Sequence, residues 1–237
     1  MIALIDADII CYSVAFAAKD DPLPFALHSV NKMIDNILDK VGAEEYYCFL
    51  SGPTNFRNDV ATIKKYKGNR KSEKPEHYAD IRKYLIDKHE ATVIDGQEAD
   101  DALGIMQTKL GDDTCIASID KDLDQIAGWH YNWRRDEKYY VYEQDADLFF
   151  YKQLLMGDST DNIQGIPRVG EKGAENIITT IMAEFDAEPW ETLEEELYWE
   201  ILDRYAMAYD KPMEALIENA RLLWIRRQQH ELWEPKW

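Results

Sequence analysis

The chain alternates short apolar runs, rich in β-branched and aromatic residues, with longer segments that have the period of an amphipathic helix. The short runs predict strands at Ile2–Ile5, Tyr46–Leu50, Thr92–Ile94, Thr114–Ile119, Trp129–Trp133 and Tyr139–Tyr142. The periodic segments between them predict helices at about Phe25–Lys40, Glu76–Lys88 and Ala99–Leu110. Strands that alternate with helices indicate an α/β fold with a doubly wound, mostly parallel sheet.

Near residue 150 the hydrophobic pattern changes from alternating strands and helices to helices alone. From about Asp145 onward no further strand is predicted, and the remaining apolar positions have helical spacing. We therefore expect an α/β core over residues 1–150 and a helical region over residues 151–237. The length of 237 residues allows either one large domain or a core with an appendage.

Composition narrows the class of protein. No apolar stretch approaches the roughly 18 residues of a membrane span, and no basic segment precedes the first apolar run, so neither a membrane anchor nor a signal peptide is predicted. The three cysteines have neither metal-ligand spacing nor a disulfide pattern. We expect them to be buried in a protein of a reducing cytoplasm; they are Cys11, Cys48 and Cys115.

The net charge of −19 argues against a polyanionic partner, but the charge is unevenly spread. A basic strip over residues 64–74 has a single acid, Glu73, among its cations Lys64, Lys65, Lys67, Arg70, Lys71 and Lys74. This strip fits a polyanion held beside bound cations, or else a solvated lysine run on an acidic protein. Arg226 and Arg227, near the end of the chain, could contact backbone phosphate but are interpreted as solvated surface residues.

Four segments place acids where strands should end or helices begin, and in an open α/β sheet ligands bind beyond the carboxyl ends of the strands. These segments are LIDAD (Asp6, Asp8), GQEADDALG (Glu98, Asp100, Asp101), ASIDKDLD (Asp120, Asp122) and MGDSTDN (Asp158, Asp161). Each pair alone is explained by helix capping. Together they are not, because two carboxylates about 4 Å apart repel by about 4 kcal/mol at an effective dielectric near 20. Two bound Mg²⁺ ions would relieve that repulsion and suit phosphoryl hydrolysis.

The ordered motifs LIDAD, YKGNR, GQEADD, SIDKDLD and MGDSTDNIQGI-x-x-VG resemble those of the flap-endonuclease-like 5′ nucleases, and most of all the small 5′→3′ exonucleases of short-tailed phages. The resemblance spans about residues 1–180 and implies a PIN-like sheet with two divalent metals, Mg²⁺ or Mn²⁺. It implies a first metal cluster of Asp6, Glu98, Asp100 and Asp120. For the second cluster it implies Asp122, Asp158 and Asp161, with Asp101 close by.

The resemblance also implies a DNA-binding surface. Lys67 and Arg70 match family positions that engage the scissile phosphate, and Lys152 matches a further basic position. Tyr66 stands where an aromatic ring can stack on a terminal base, although packing of a loop ring on the sheet explains it equally well. Residues 158–182 match a helix–three-turn–helix that clamps backbone phosphate and in the family often holds K⁺. Its matched positions are Gly165, Arg168, Gly170 and Lys172.

This chain departs from the family pattern in two places. The family commonly has an aspartate after the second strand, where this chain has Ser51 and Gly52, so one metal ligand is absent or supplied from elsewhere, with Asp8 as the nearest candidate. The stretch between YKGNR and GQEADD is also short, which argues against a full arch that threads single strands.

The predicted function is a metal-dependent 5′→3′ exonuclease with flap endonuclease activity as an extension, leaving 5′-phosphate products. The implied substrates are double-stranded DNA with 5′ ends or flaps, with RNA–DNA hybrids as a further candidate. By resemblance, we expect a monomeric phage protein that acts in the host cytoplasm. Two alternatives stay open: a haloacid-dehalogenase-type phosphatase built on Asp6 and Asp8, and a noncatalytic DNA-binding protein. The phosphatase needs a strand at residues 148–156, where the pattern predicts a helix.

Overall fold

A computed structural model describes residues 1–70 and 73–237, so Lys71 of the basic strip lies outside the described residues. The strands are β1 (Ile2–Asp6), β2 (Glu45–Ser51), β3 (Thr92–Ile94), β4 (Thr114–Ala117), β5 (Gly128–Asn132), β6 (Glu137–Val141), β7 (Gly157–Asp158) and β8 (Ile163–Gln164). The helices are α1 (Ala7–Ala17), α2 (Leu23–Val41), α3 (Arg57–Val60), α4 (Tyr78–His89), α5 (Ala99–Leu110), α6 (Glu143–Met156), α7 (Glu171–Glu184), α8 (Trp190–Ala208) and α9 (Pro212–Leu223).

The described chain divides into two compact units, each assembled from separated segments. Unit 1 comprises Met1–Asn55, Lys71–Glu143 and Ile225–Glu231. Unit 2 comprises Phe56–Arg70, Gln144–Trp224 and Leu232–Trp237. The hydrophobic pattern predicts a single change near residue 150, from alternating strands and helices to helices alone. It does not predict that Phe56–Arg70 belongs to unit 2 or that Ile225–Glu231 belongs to unit 1.

Unit 1 contains a six-stranded sheet in the order β3-β2-β1-β4-β5-β6. The pairs β2–β3, β1–β2, β1–β4 and β4–β5 are parallel, and only the β5–β6 pair in this sheet is antiparallel. The predicted mostly parallel α/β fold is confirmed. The strand order changes direction between β1 and β4, so the carboxyl ends of these two strands flank the point where such sheets bind ligands.

Alternate residues of the central strands enter two separate cores. Ala3 and Ile5 pack with α1, α2 and α4 on one face of the sheet, whereas Leu4 packs with α5 on the other. Helices therefore cover both faces, as a doubly wound sheet requires. The three cysteines are free and buried, as predicted, and burial raises the pKa of each thiol to about 12.

Unit 2 is mainly helical around its own core, in which Tyr205 is fully buried and donates a hydrogen bond from its hydroxyl to the carbonyl of Leu154 at 2.9 Å. The prediction of no strand beyond Asp145 is wrong at one place, because β7 and β8 form a short antiparallel hairpin. A Cβ on Gly165 would lie 2.2 Å from the backbone nitrogen of Gly157, so only glycine fits this close approach. Among the described residues, no helix has the length and apolar character needed to cross a membrane.

Candidate metal centre and nucleic-acid interface

Asp6 ends β1 and is 2% exposed. One carboxylate oxygen accepts the backbone N–H of Ile9 at 3.1 Å and so caps α1, and the other accepts the hydroxyl of Ser118 at 2.7 Å. Burial raises the pKa of Asp6 to about 7, the Ser118 hydrogen bond opposes that rise, and the charges of Asp8 and Asp120 add to it. A bound cation would offset both the burial of this carboxylate and its repulsion by neighbouring acids, and so would stabilise its ionised form.

Ser118 connects the ends of the two central strands. Its hydroxyl donates to Asp6 and accepts the backbone N–H of Asp120 at 3.0 Å. Asp120 in turn caps a 3₁₀ helix, Lys121–Gln125, by accepting the backbone N–H of Asp122 at 3.0 Å. The parallel pairing of β1 with β4 therefore brings Asp6 and Asp120 to one edge, as the sequence predicted.

Asp8 is held by Ser51, at the end of β2, and by Arg82. One oxygen of Asp8 accepts the backbone N–H of Ser51 at 2.8 Å, and the other lies 3.3 Å from a guanidinium nitrogen of Arg82. Arg82 also donates to the carbonyl of Ser51 at 2.7 Å. The Ser51 hydroxyl accepts the N–H of Ala99 at 2.9 Å and so provides a neutral acceptor at the start of α5.

The EADD segment forms the start of α5. Glu98 and Asp101 make a capping box, in which each side chain accepts the other's backbone N–H, and Glu98 lies outside the helix proper. The second oxygen of the fully buried Asp101 accepts the N–H of Arg226 at 3.1 Å. Asp101 thus has a structural role here. Asp100, in the same helical turn, is partly exposed.

Within residues 1–70 and 73–237, no group of three or more His, Cys, Asp or Glu side chains is arranged so that it could hold a metal ion. The donor chemistry nevertheless fits a hard divalent cation, because the acids of unit 1 offer oxygen ligands and Asp6 is buried beside two further carboxylates. Several of these oxygens accept hydrogen bonds from Ser118, Ser51 and Arg82.

Sequence reasoning missed a basic and aromatic groove beside α4. It has a volume of about 430 Å³ and is lined by Lys74, Tyr78, Arg82 and Lys83, among others. The Lys74 ammonium lies 4.4 Å from the centroid of the Tyr78 ring, and the Tyr12 ring lies 4.7 Å from the same ring. No motif signals this groove: Lys74 lies in the loop before α4, and the other lining residues lie on α4 itself.

In unit 2, the YKGNR and MGDSTDN motifs meet at Asp161. Its carboxylate accepts the hydroxyl of Tyr66 at 2.8 Å and pairs with Arg70 at 2.6 Å and Lys67 at 3.5 Å. Asn69 also donates to the carbonyl of Ser159 at 2.7 Å. Tyr66 is only 5% exposed in the core of unit 2, which favours a packing role over base stacking for this ring.

The segment after α6 carries the remaining predicted residues. Asp158 lies in β7 and accepts the backbone N–H of Thr160 at 2.7 Å. Gly170 caps α7 without a side-chain hydrogen bond, and Lys152 lies 3.4 Å from Glu171 in the first turn of that helix. Arg168 adopts a left-handed backbone conformation just before the helix, and Lys172 is exposed within its first turn.

Gly165 packs closely against Gly157, because a Cβ at Gly165 would lie 2.2 Å from the backbone nitrogen of Gly157. Its carbonyl and that of Gln164 accept hydrogen bonds from Tyr209, and the Gln164 carbonyl also accepts one from Asn219. These two carbonyls are therefore engaged by protein donors.

The interpretation of Arg226 and Arg227 as solvated surface residues is wrong. Arg226 is 7% exposed and donates to Gln97 at 2.8 Å, and Arg227 donates to the carbonyl of Gln125 at 2.9 Å. Both arginines belong to unit 1, and their partners Gln97 and Gln125 lie within or next to its acid-bearing segments.

Comparison with known proteins gives a family match over residues 1–153, to the family described as "5'-3' exonuclease, N-terminal resolvase-like domain". A 5'-3' exonuclease of Buchnera aphidicola subsp. Schizaphis graminum is 32% identical over 180 residues, which cover 67% of this chain and 61% of that protein. DNA polymerase I of Bacillus caldotenax is 28% identical over 241 residues, covering 83% of this chain and 26% of the polymerase. This chain therefore spans about three fifths of the first relative and a quarter of the second.

Among solved structures, a T5 5'-exonuclease with bound zinc has a TM-score of 0.61 at 20% identity, covering 92% of this chain and 99% of that chain. The likeness shows a shared fold, and the resemblance to flap-endonuclease-like 5′ nucleases is confirmed. The chain belongs to the family of 5′-3′ exonuclease N-terminal, resolvase-like domains.

Proposed function

We propose that the chain is a divalent-metal-dependent nuclease that hydrolyses DNA phosphodiesters in the 5′→3′ direction and leaves 5′-phosphate products. One observation carries this proposal: Asp6 and Asp8 from one segment and Asp120 from a distant one lie at the carboxyl edge of the sheet, where Asp6 is buried. Helix capping explains the position of each acid but not the burial of one carboxylate beside two others, which costs free energy unless a cation is bound. Family membership points to the same chemistry.

The proposed ligands of two Mg²⁺ or Mn²⁺ ions are the acids of the four motifs. They are Asp6, Asp8, Glu98, Asp100, Asp120, Asp122, Asp158 and Asp161. We propose that Asp101 supports these ligands without binding metal itself, because its two oxygens accept backbone N–H groups. When bound, such ions activate water and neutralise charge on the leaving oxygen. The T5 5'-exonuclease, which shares the fold, has been solved with divalent zinc ions bound.

Lys67 and Arg70 are proposed to bind the substrate phosphate. Arg70 is half exposed and Lys67 a quarter exposed, so both cations remain accessible to an anion. In unit 1, the groove beside α4 offers the cations Lys74 and Arg82, which suit the phosphates of a DNA strand.

The helix–three-turn–helix is proposed to hold the duplex backbone. The first N–H groups of α7 follow a glycine cap without a side-chain acceptor, and Lys172 adds a cation, which together favour a phosphate. Arg168 and Lys152 extend the basic surface, and a K⁺ ion would assist at turn carbonyls. The proposed substrates are duplexes with 5′ ends or flaps, with RNA–DNA hybrids as a further class, and the proposed active form is a monomer in the cytoplasm of a phage host.

The decisive experiment digests duplexes labelled at the 5′ or 3′ terminus, with Mg²⁺ and with EDTA. The proposal expects mononucleotides or short products from the 5′ end, only with metal. The double variant Asp158→Ala and Asp161→Ala should retain DNA affinity while turnover falls by orders of magnitude. The matched control removes two exposed acids of the same unit, Asp203→Ala and Asp210→Ala, and should cleave normally.

Two results would favour the alternatives. Cleavage of small phosphate monoesters without any cleavage of DNA would favour the phosphatase, although residues 148–156 are helical in α6, as predicted. Tight DNA binding without hydrolysis in either Mg²⁺ or Mn²⁺ would favour a noncatalytic binding protein.

A further inference from the structure

We infer that the segment Ile225–Glu231, here called the C-terminal clamp, positions the two acid-bearing segments of unit 1 for metal binding. The clamp belongs to unit 1, whereas the residues before and after it belong to unit 2. The inference deepens the proposed function and rests on its metal site. It makes Asp101 and Arg226 positioning residues rather than ligands.

The first contact of the clamp is with the start of α5. The backbone N–H of Arg226 donates to Asp101 at 3.1 Å, and the other oxygen of Asp101 accepts the N–H of Glu98 at 3.0 Å. The guanidinium of Arg226 donates to the side chain of Gln97 at 2.8 Å. All of Gln97, Asp101 and Arg226 are buried, so these bonds act in a low dielectric. The clamp thereby fixes the backbone on which Glu98 and Asp100 stand.

The second contact is with the segment after β4. The side chain of Gln125, which is 1% exposed, accepts the N–H of Ile225 at 3.2 Å, and its carbonyl accepts the guanidinium of Arg227 at 2.9 Å. Gln125 ends the 3₁₀ helix that Asp120 caps and that contains Asp122. One short segment therefore binds both acid-bearing elements, although they are distant in sequence.

Hydrogen bonds within the clamp hold it in a closed loop, and the clamp packs closely against α5. Glu231 accepts the backbone N–H of Arg227 at 2.7 Å with its carboxylate, and its carbonyl accepts the guanidinium of Arg226 at 2.8 Å. A Cβ added at Gly104 in α5 would lie 2.6 Å from the carbonyl oxygen of Arg226. Glycine at this helical position allows the clamp its close approach, at a cost in helix propensity of about 1 kcal/mol.

Positioning of this kind matters because carboxylates repel one another and adopt ligand geometry only when the backbone beneath them is fixed. Loss of groups that orient metal ligands typically lowers metal affinity about 10- to 100-fold. The clamp supplies such support at both acid-bearing segments through groups that do not themselves need to touch the metal.

The test uses Gly104→Ala in the full chain. The added methyl group should displace the clamp, lower the affinity for Mn²⁺ about tenfold in calorimetry without DNA, and accelerate amide exchange at residues 98–101 and 120–125 in EDTA. The matched control is Gly173→Ala in α7, where the nearest atom to the added Cβ is 3.6 Å away. The control should leave Mn²⁺ affinity and both exchange rates unchanged.

A second pair of variants decides the matter if Gly104→Ala does not fold. Arg226→Met should lower Mn²⁺ affinity and accelerate exchange at residues 98–101, and Arg226→Lys, which keeps a donor for Gln97, should restore part of both. Wild-type Mn²⁺ affinity and wild-type exchange in Arg226→Met would overturn the clamp. Absence of Mn²⁺ binding in the wild type would instead overturn the proposed metal site, while the exchange rates in EDTA still decide whether the clamp orders the acid-bearing segments.

Discussion

Asp6→Asn separates the effect of charge from the effect of shape at the candidate metal centre. Asparagine has nearly the same volume as aspartate, its carbonyl can still accept the N–H of Ile9, and its amide can donate to the Ser118 hydroxyl. The substitution removes only the negative charge that is buried beside Asp8 and Asp120. It should therefore stabilise the metal-free protein at high pH and abolish metal-dependent activity.

The magnitude follows from the raised pKa of Asp6, which is about 7 in the folded protein against 3.8 in the unfolded chain. Below pH 3.8 the carboxyl is protonated in both the folded and the unfolded protein, so it does not lower the free energy of unfolding. As the pH rises to about 7, the unfolded chain ionises first, so stability falls; above pH 7 the loss is complete, at about 4 kcal/mol. The advantage of the asparagine variant should grow by about 3 kcal/mol between about pH 5 and about pH 8.5.

The assay is urea unfolding in EDTA at these two pH values, together with carboxyl-carbon NMR titration of the wild type, with the Asp6 signal assigned by its loss in the variant. The control is Asp136→Asn, because Lys40 and Tyr131 lower the pKa of that exposed acid. Its destabilisation should be constant above about pH 5, since both states are then ionised. Titration of Asp6 near its ordinary pKa, or a pH-independent advantage of the variant, would refute the reasoning.

Three further predictions follow from neighbouring geometry. Lys67→Ala should slow cleavage at saturating DNA by about 10²-fold, as for loss of a transition-state contact, while calorimetric Mn²⁺ affinity is retained; an unchanged rate would remove Lys67 from the site. Gly165→Ala should destabilise unit 2 by about 3 kcal/mol in thermal unfolding, because its Cβ meets the Gly157 backbone, whereas Gly170→Ala, with open space around it, should cost about 1 kcal/mol or less. Ser51→Asp should destabilise the protein in EDTA and raise Mn²⁺ affinity or stoichiometry; weaker Mn²⁺ binding would show that the segment cannot supply a ligand.

Most elements of the fold were predictable because their patterns are local, although α1 (Ala7–Ala17) and the one-turn α3 were not predicted. Every predicted strand and helix is present with ends shifted by a few residues, since apolar alternation and helical spacing are set by neighbours along the chain. The position of Asp6 and Asp120 was also predictable, because acids at the ends of adjacent parallel strands must meet. The short β7–β8 hairpin was not, because two-residue strands have no period to detect.

The missed contacts have no local pattern. Arg82 pairs with Asp8 across 74 residues, and the Asp8 carboxylate binds the backbone of Ser51 across 43 residues. The bond between Asp101 and the backbone of Arg226 spans 125 residues. A single sequence gives no sign of such pairs, since nothing about Arg226 distinguishes a buried clamp from a solvated cation until its partners are placed around it.

Asp6 and Asp101 show why residue type and motif do not by themselves assign ligands. Both are buried aspartates at the start of a helix, and both belong to motifs that the family resemblance associates with metal. Their partners differ: each oxygen of Asp101 accepts a backbone N–H, whereas Asp6 lies beside Asp8 and Asp120, whose charges raise its pKa. Backbone donors already satisfy the first carboxylate, so a cation would gain little there and would cost the capping box and the clamp. The Asp6 carboxylate is destabilised by burial and by its charged neighbours, so a divalent cation bound there would release free energy, and for that reason we propose Asp6 rather than Asp101 as the metal ligand.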